Sequence, residues 1–325
     1  MSPATISRSF FRARGILFFL LMLSSAAFSA TPQELLAFGH VDELIQVLQK
    51  DIDRSAANPE NYNLLCRAYF QIDDWDHAIS ACERAVALDP QKSVYHLWLG
   101  RAYGEKADRS SFITAAGLAK RVRMSFERAV ELDPNNVDAR ADLGEFYAEA
   151  PGIVGGGKDK ARAQAQALMS INPAISHWVS ARVDEKEKQP AAAEKNYRAE
   201  VEASHSGARA WLDLAIFYRY AQRLDEMDDA LKKMESSTLD RPESLMHAAS
   251  LLLRANHDLP TAVRFLRRYL SAPVEQGPAC KAHDLLGQLL EKQSDRRAAA
   301  EEFRASLALA HNCSRAQEDL KRVEH

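Results

Sequence analysis

Three short stretches of this 325-residue chain hold residue types whose spacing could do chemistry. Cys280-x-x-His283 and His311-x-Cys313 together supply two sulfurs and two imidazoles, a donor set that suits tetrahedral zinc. The same two cysteines could instead close a disulfide, which an oxidising compartment favours. The third stretch, Gly152-Ile-Val-Gly-Gly-Gly-Lys158, fits the first seven positions of a phosphate-binding loop. The fit fails at the eighth, where Asp159 replaces the Ser or Thr that would hold magnesium. It fails in context too, because such a loop follows a strand and this one follows an amphipathic helical run over residues 138–150. Weak anion capture by the glycine amides is the chemistry left to it. Elsewhere, the acid pairs Asp73-Asp74 and Asp228-Asp229 fall on polar helix ends, the ordinary place for solvated charge. The ten histidines are scattered, with no His-Glu-x-x-His run and no Gly-x-Ser-x-Gly elbow. The expectation is a protein that is not an enzyme and that needs no cofactor and no resident metal.

The elements that position these residues follow a 34-residue period. From Pro59, the residues Tyr62, Leu65, Tyr69, Ala78, Ala85 and Asp89-Pro90 fall at helix–turn–helix spacings. The set returns as Leu99, Gly100, Tyr103, Phe126, Ala129 and Asp133-Pro134, and again as Leu143, Gly144, Tyr147, Ala161 and Asn172-Pro173. A worn copy follows at Trp211, Leu214, Tyr218 and Leu231. Small residues allow two helices to approach, and Leu and aromatic residues at i, i+3, i+4 and i+7 fill the space beside them. Asp-Pro stops the second helix, because Pro cannot continue it.

This pattern resembles the tetratricopeptide repeat family. The resemblance implies an all-α fold, a tetratricopeptide-repeat α-solenoid that winds antiparallel helix pairs into a right-handed superhelix. Its concave groove would be lined mainly by the first helix of each pair. About seven pairs are expected over residues 59–314, at 59–92, 93–136, 137–173, 174–207, 208–241, 242–276 and 280–313. Residues 31–58 would form an N-terminal capping helix pair, with apolar positions at Leu35, Leu36, Val41, Leu44, Ile45 and Leu48. Residues 315–325 would form a polar capping helix, since an end unit must present a polar outer face. His96 and His177 sit near a repeat position that is usually an aromatic packing site.

Residues 1–30 read as a signal peptide: Arg8, Arg12 and Arg14, then the apolar run ILFFLLML over 16–23, then small residues to Ala30. The run is short against the roughly 20 residues needed to span a bilayer. The chain is therefore expected to be exported, periplasmic or secreted, with an uncleaved membrane anchor as the alternative. The rest of the chain carries 39 basic and 45 acidic residues. A weakly acidic body gives no electrostatic basis for nucleic-acid binding.

The four cysteines are placed for pairing. Cys66 and Cys82 are nearly symmetric about the turn at Asp73-Asp74, and Cys280 and Cys313 about that at Ser294-Asp295. Antiparallel helices bring such positions level, so disulfides Cys66–Cys82 and Cys280–Cys313 are expected, with zinc as the rival at the second pair.

Two insertions break the period. Pro90 to Pro134 is ten residues over, and Pro134 to Pro173 is five over. In a solenoid such loops lie along one edge. Ser110 or Ser111 would cap a long second helix, presenting Arg109, Phe112 and Ile113. The second insertion offers Ile153, Val154 and Lys158, completing an inserted-edge patch. The family's groove positions, carried across residue by residue, fall on Asn63, Arg67 and Phe70, on Leu97 and Arg101, on Asp142 and Glu145, and on Leu212, Asp213 and Arg219. They lack the full set that clamps acidic chaperone tails. The expected function is an exported protein–protein interaction scaffold. It would hold a cell-envelope protein or peptide in the groove, on the inserted edge, or on both. The alternative is a periplasmic solute-binding or transporter-accessory protein whose superhelix closes around a ligand. A mature chain with its signal removed would not insert into the membrane.

Overall fold

The computed structural model describes residues 30–55, 57–273, 279–313 and 315–325. The segment expected to be a signal peptide lies outside them, save for Ala30. No helix among the described residues is long and apolar enough to cross a membrane. Helices α1 (Pro32–Ala37) and α2 (Val41–Arg54) come first. Seven antiparallel pairs follow: α3 (Pro59–Gln71) with α4 (Trp75–Leu88), α5 (Ser93–Asp108) with α6 (Phe112–Leu132), α7 (Val137–Glu149) with α8 (Lys158–Leu168), and α9 (Pro173–Lys186) with α10 (Pro190–Ala203). Then come α11 (Ala208–Tyr220) with α12 (Leu224–Ser236), α13 (Glu243–Ala255) with α14 (Leu259–Leu270), and α15 (Ala279–Lys292) with α16 (Arg296–Leu309). Helix α17 (Ala316–Glu324) packs on α16.

Local sequence sets these boundaries. Asn58, Asp74, Asn136, Asn172 and Asp295 each accept a backbone N–H at a helix start, satisfying a donor that would otherwise have no partner. Pro59 and Pro173 occupy first-turn positions, where a missing N–H costs nothing. Within four pairs the chain reverses through one left-handed residue, Asp73, Lys188, Gln222 or Ser294, and in the sixth pair through two, Asn256 and Asp258. The two connections with insertions differ: α7–α8 turns at the left-handed Gly155, and α5–α6 has no left-handed residue.

Close approach explains the small residues. A Cβ added at Gly100 would come within 2.4 Å of Phe126, one at Gly287 within 2.5 Å of Phe303, and one at Gly144 within 2.9 Å of Val179. Two buried clusters run along the solenoid, one through the N-terminal pairs and one through the C-terminal pairs. Cys280, Ala310 and Cys313 belong to the last pair yet pack into the N-terminal cluster.

That exception closes the superhelix. Ala279 rests against Gly39, whose φ of +73° leaves no room for a side chain there. Lys281 donates to Asp73 at 2.5 Å. The His311 amide donates to Asp42 at 2.8 Å, and His311 Nδ1 lies 3.0 Å from the same carboxylate. The start of α15 thus meets the turn after α3. The concave groove expected from the repeats is present, and the last pair docks at one rim on the capping helices and the first turn.

The disulfides Cys66–Cys82 and Cys280–Cys313 are both present and buried. The second takes both sulfurs a zinc site would need, and His283 and His311 turn instead to Glu302 and Asp42. Ser111 occupies the N-cap position just before the long α6, but its hydroxyl meets Thr114 Oγ1 and caps no backbone amide.

The concave cavity and the inserted edge

The first helices face inward around a concave, solvent-open cavity of about 1080 Å3. Its wall begins with an aromatic cluster. Phe70 meets Trp75 and Trp98 edge-on, with ring centres 5.1 and 5.4 Å apart. Arg67 and Arg101 lie over Trp98 at 5.1 and 5.0 Å, and Arg109 lies over Trp75 at 5.0 Å. The indoles hold these guanidiniums in place by cation–π attraction.

The adjoining wall is ionic. Arg101 donates to Asp142 at 2.6 Å and lies 3.7 Å from Asp138. Arg241, just ahead of α13, reaches Asp138 at 2.7 Å and so ties the sixth pair to the third. Burial alone would raise the Asp138 carboxyl, but Arg241 and Arg101 hold it below its usual range. Arg209 and Asp213 pair along α11 at 3.4 Å. Behind Asp213 lies Glu200, 1% exposed; burial first and Asp213 second push it well above the usual carboxylate range. Burial raises Asp213 as well, with Arg209 opposing, so the two neighbouring carboxyls disfavour two charges at once.

Helix α7 turns Asp142, Glu145, Phe146 and Glu149 to the cavity, a single face at i, i+3, i+4 and i+7. Glu149 has Arg182 at 2.8 Å and also pairs with Lys186. Glu145 has only a share of Arg182, at 3.7 Å. Neighbouring helices crowd its carboxyl although 43% of the side chain stays exposed to the cavity, and Asp142 and Glu149 repel a third charge. Burial chiefly, with that repulsion, raises it to about 7. On α13, Glu243, Ser244, Met246 and His247 face the same space, and burial pushes His247 down.

Of the groove positions read from the repeats, Phe70, Arg101, Asp142, Glu145, Leu212 and Asp213 line the cavity. Asn63 and Leu97 do not: both are buried in helix packing, at 2 and 4% exposure. Arg67 is held on Trp98, and Arg219 is half-buried on α11 outside the lining. Sequence reasoning missed Trp75, Trp98, Arg209, Arg241, Glu243, Ser244, His247 and Lys281. Trp98 and Arg101 share a helix face three residues apart, which was a usable signal. Arg241 gave none, since its partner lies 103 residues away.

The inserted edge divides. Arg109 turns inward to Glu105 and Trp75. Phe112, Ile113 and Ile153 stand outward, while Val154 is half-buried and Lys158 lies 3.8 Å from Glu187. The two insertions touch: Gly155, at φ +97°, lies against Arg123 of α6. Anion capture by the glycine loop fails, because its amides are already used. Gly155 donates to Gly152, Gly156 to Pro151 and Gly157 to Tyr147.

No protein-family model matches the chain, and no curated protein matches it. Solved structures do. Yeast Tom70 aligns over 94% of this chain and 66% of its own, with a TM-score of 0.52 and 14% identity. A chain of the APC/C Cut9–Hcn1 hetero-tetramer aligns over 90% of this chain and 54% of its own, at 0.40 and 13%. A tetratricopeptide repeat protein from Parabacteroides merdae aligns over 88 and 99%, at 0.39 and 16%. The chain thus spans about half of the Cut9–Hcn1 chain and just under two thirds of Tom70. The fold is a tetratricopeptide-repeat α-solenoid, right-handed and all-α.

Proposed function

With a tetratricopeptide-repeat fold as the premise, we propose that this chain is an exported protein-interaction scaffold. Its concave cavity seats a short segment of a cell-envelope protein. The observation that carries this reading is the cavity itself: six of the seven pairs contribute charged, aromatic and apolar side chains to one concave site. Two buried disulfides support an oxidising location. The reading is of binding and not of catalysis: the lining acids are mostly committed to arginines, and Ser244 is hydrogen-bonded to no base. The inserted edge supplies a second contact through Phe112, Ile113 and Ile153.

The test is affinity capture from an envelope extract with three baits. These are residues 31–325 unchanged, a cavity-filling Met246→Trp variant, and an edge variant with Ile153→Ser and Val154→Ser. A partner held by the first bait and lost from the second places binding in the cavity. A partner lost only from the third moves it to the edge, and the cavity reading falls.

Closure favours a second reading, a solute-binding protein. A cavity of about 1080 Å3 lies at the upper end of the ~300–1,000 Å3 that small-molecule sites occupy. A stoichiometric small molecule seen by native mass spectrometry of freshly purified protein would establish it.

A further inference from the structure

The cavity carries more negative charge than its own cations satisfy. Eight carboxylates line it against six Arg and Lys side chains. Most are matched: Asp142 with Arg101, Asp213 with Arg209, Asp73 with Lys281, Glu105 with Arg109, and Glu149 with Arg182. Among the described residues, Asp108 and Glu243 have no ion-pair partner; on the other side of the balance, neither does Arg254. Glu145 competes for a guanidinium that Glu149 and Glu185 hold more closely, at 2.8 and 2.7 Å.

A second observation points to a ligand independently of charge. Ser244 is 2% exposed and lines the cavity, yet its hydroxyl has no hydrogen-bond partner. No side-chain hydrogen bond among the described residues occupies that hydroxyl, so it is available to a polar ligand in the cavity. Beside these acceptors, Phe146 offers a ring between Asp142, Glu145 and Glu149 on the same face of α7.

We propose that the cavity receives a positively charged side chain, the guanidinium or ammonium of a basic peptide segment. That group sits against Glu145 and Phe146, with Glu243 and Ser244 as further acceptors in the same cavity. Guanidinium donates five N–H and ammonium three, and neither accepts, so both suit a site made of carboxylates and a hydroxyl. A flat ring beside paired acids adds cation–π attraction for either. The inference rests on the reading that the cavity is the partner's seat, and it names that partner's chemistry.

Binding of such a cation favours ionised Glu145. The groups facing Glu145 are Asp142 and Glu149 on its own helix, Arg182 on α9 and Arg209 on α11. Glu145 is placed near neutrality, at about 7. Affinity for the cation should therefore rise between pH 6 and 8. His247 loses any remaining charge in the same direction, so His247→Gln serves as the control.

The experiment is fluorescence anisotropy with three probes: labelled Gly-Arg-Gly-Lys-Gly, labelled Gly-Glu-Gly-Glu-Gly, and unlabelled argininamide as competitor. The basic peptide should bind, weaken with salt, and lose about tenfold in affinity on combining Glu145→Gln with Glu243→Gln. Its pH dependence should flatten in Glu145→Gln and persist in His247→Gln. Full competition by argininamide would show that the charged group alone is read; partial competition would show that the peptide backbone contributes. Tighter binding of the acidic peptide overturns the proposal, as does basic-peptide binding unchanged by the double variant. If Met246→Trp strips the captured partner while no basic peptide binds, the cavity reading stands and this inference falls. If Met246→Trp leaves the partner bound, the cavity reading itself fails.

Discussion

On the inner wall, Arg101 is gripped by Asp142 and Asp138, and Arg241 crosses from another helix pair to the same Asp138. On the inserted edge, Phe112, Ile113 and Ile153 stand 87, 85 and 93% exposed with nothing packed over them. The wall is thus ordered before any partner arrives, and binding there loses little further side-chain freedom. The edge contributes little to the fold, so its sequence is free to change without unfolding the protein. Changes on the wall should move stability and binding together, and changes on the edge should move binding alone.

The sharpest break of that contrast is at the closure. Replacing Cys280 and Cys313 by Ser should cost about 4 kcal/mol in the chain-entropy account, read as a shift in urea midpoint. Removing Cys66–Cys82 should cost about 3 kcal/mol. Only the Cys280–Cys313 variant should also widen the particle in small-angle scattering, because that bridge lies where the two ends meet. Next, Asp138→Ala leaves Arg101 and Arg241 without a shared carboxylate and should cost about 3 kcal/mol.

A smaller effect is the slope of stability with pH. Glu145 keeps its proton to about pH 7 in the fold, but releases it near 4.5 in the unfolded chain. Its contribution is complete below pH 4.5 and is lost as pH rises through 7. Unfolding curves at pH 5 and pH 8 should show that loss, and Glu145→Gln should remove it. The smallest effect belongs to the edge: Ile153→Ser with Phe112→Ser should change stability by no more than about 0.5 kcal/mol. A larger change would mean that the edge supports the fold, and the contrast drawn above would fail.

Local rules explain why the helix pairs and both disulfides could be read in advance. Gly100 needs only Phe126, 26 residues on, and Cys66 needs only Cys82 across one turn. Each such contact lies within one repeat, so spacing reveals it. Part of the wall was legible for the same reason: Asp142 and Glu145 occupy fixed repeat positions on the inward face. The closure was not. His311 meets Asp42 only after the small twist of every intervening pair has accumulated, and no local pattern encodes that sum. Arg241 and Lys281 were invisible as wall residues because their partners depend on the same accumulated twist. The glycine loop misled in the other direction. Its residues match a phosphate loop, but Gly156 is required because any Cβ there would lie 1.8 Å from the Ala150 carbonyl oxygen.

Closure also constrains how such a gene can change. An open repeat array tolerates duplication or loss of a unit, since each end simply moves outward or inward by one step. Here a duplicated 34-residue unit would carry Lys281 and His311 past Asp73 and Asp42, and a lost unit would leave them short. Either event would separate the bridged segment from the apolar cluster it now completes. Unit number should therefore be invariant among orthologues that keep Cys280 and Cys313, and variable among those that have lost them.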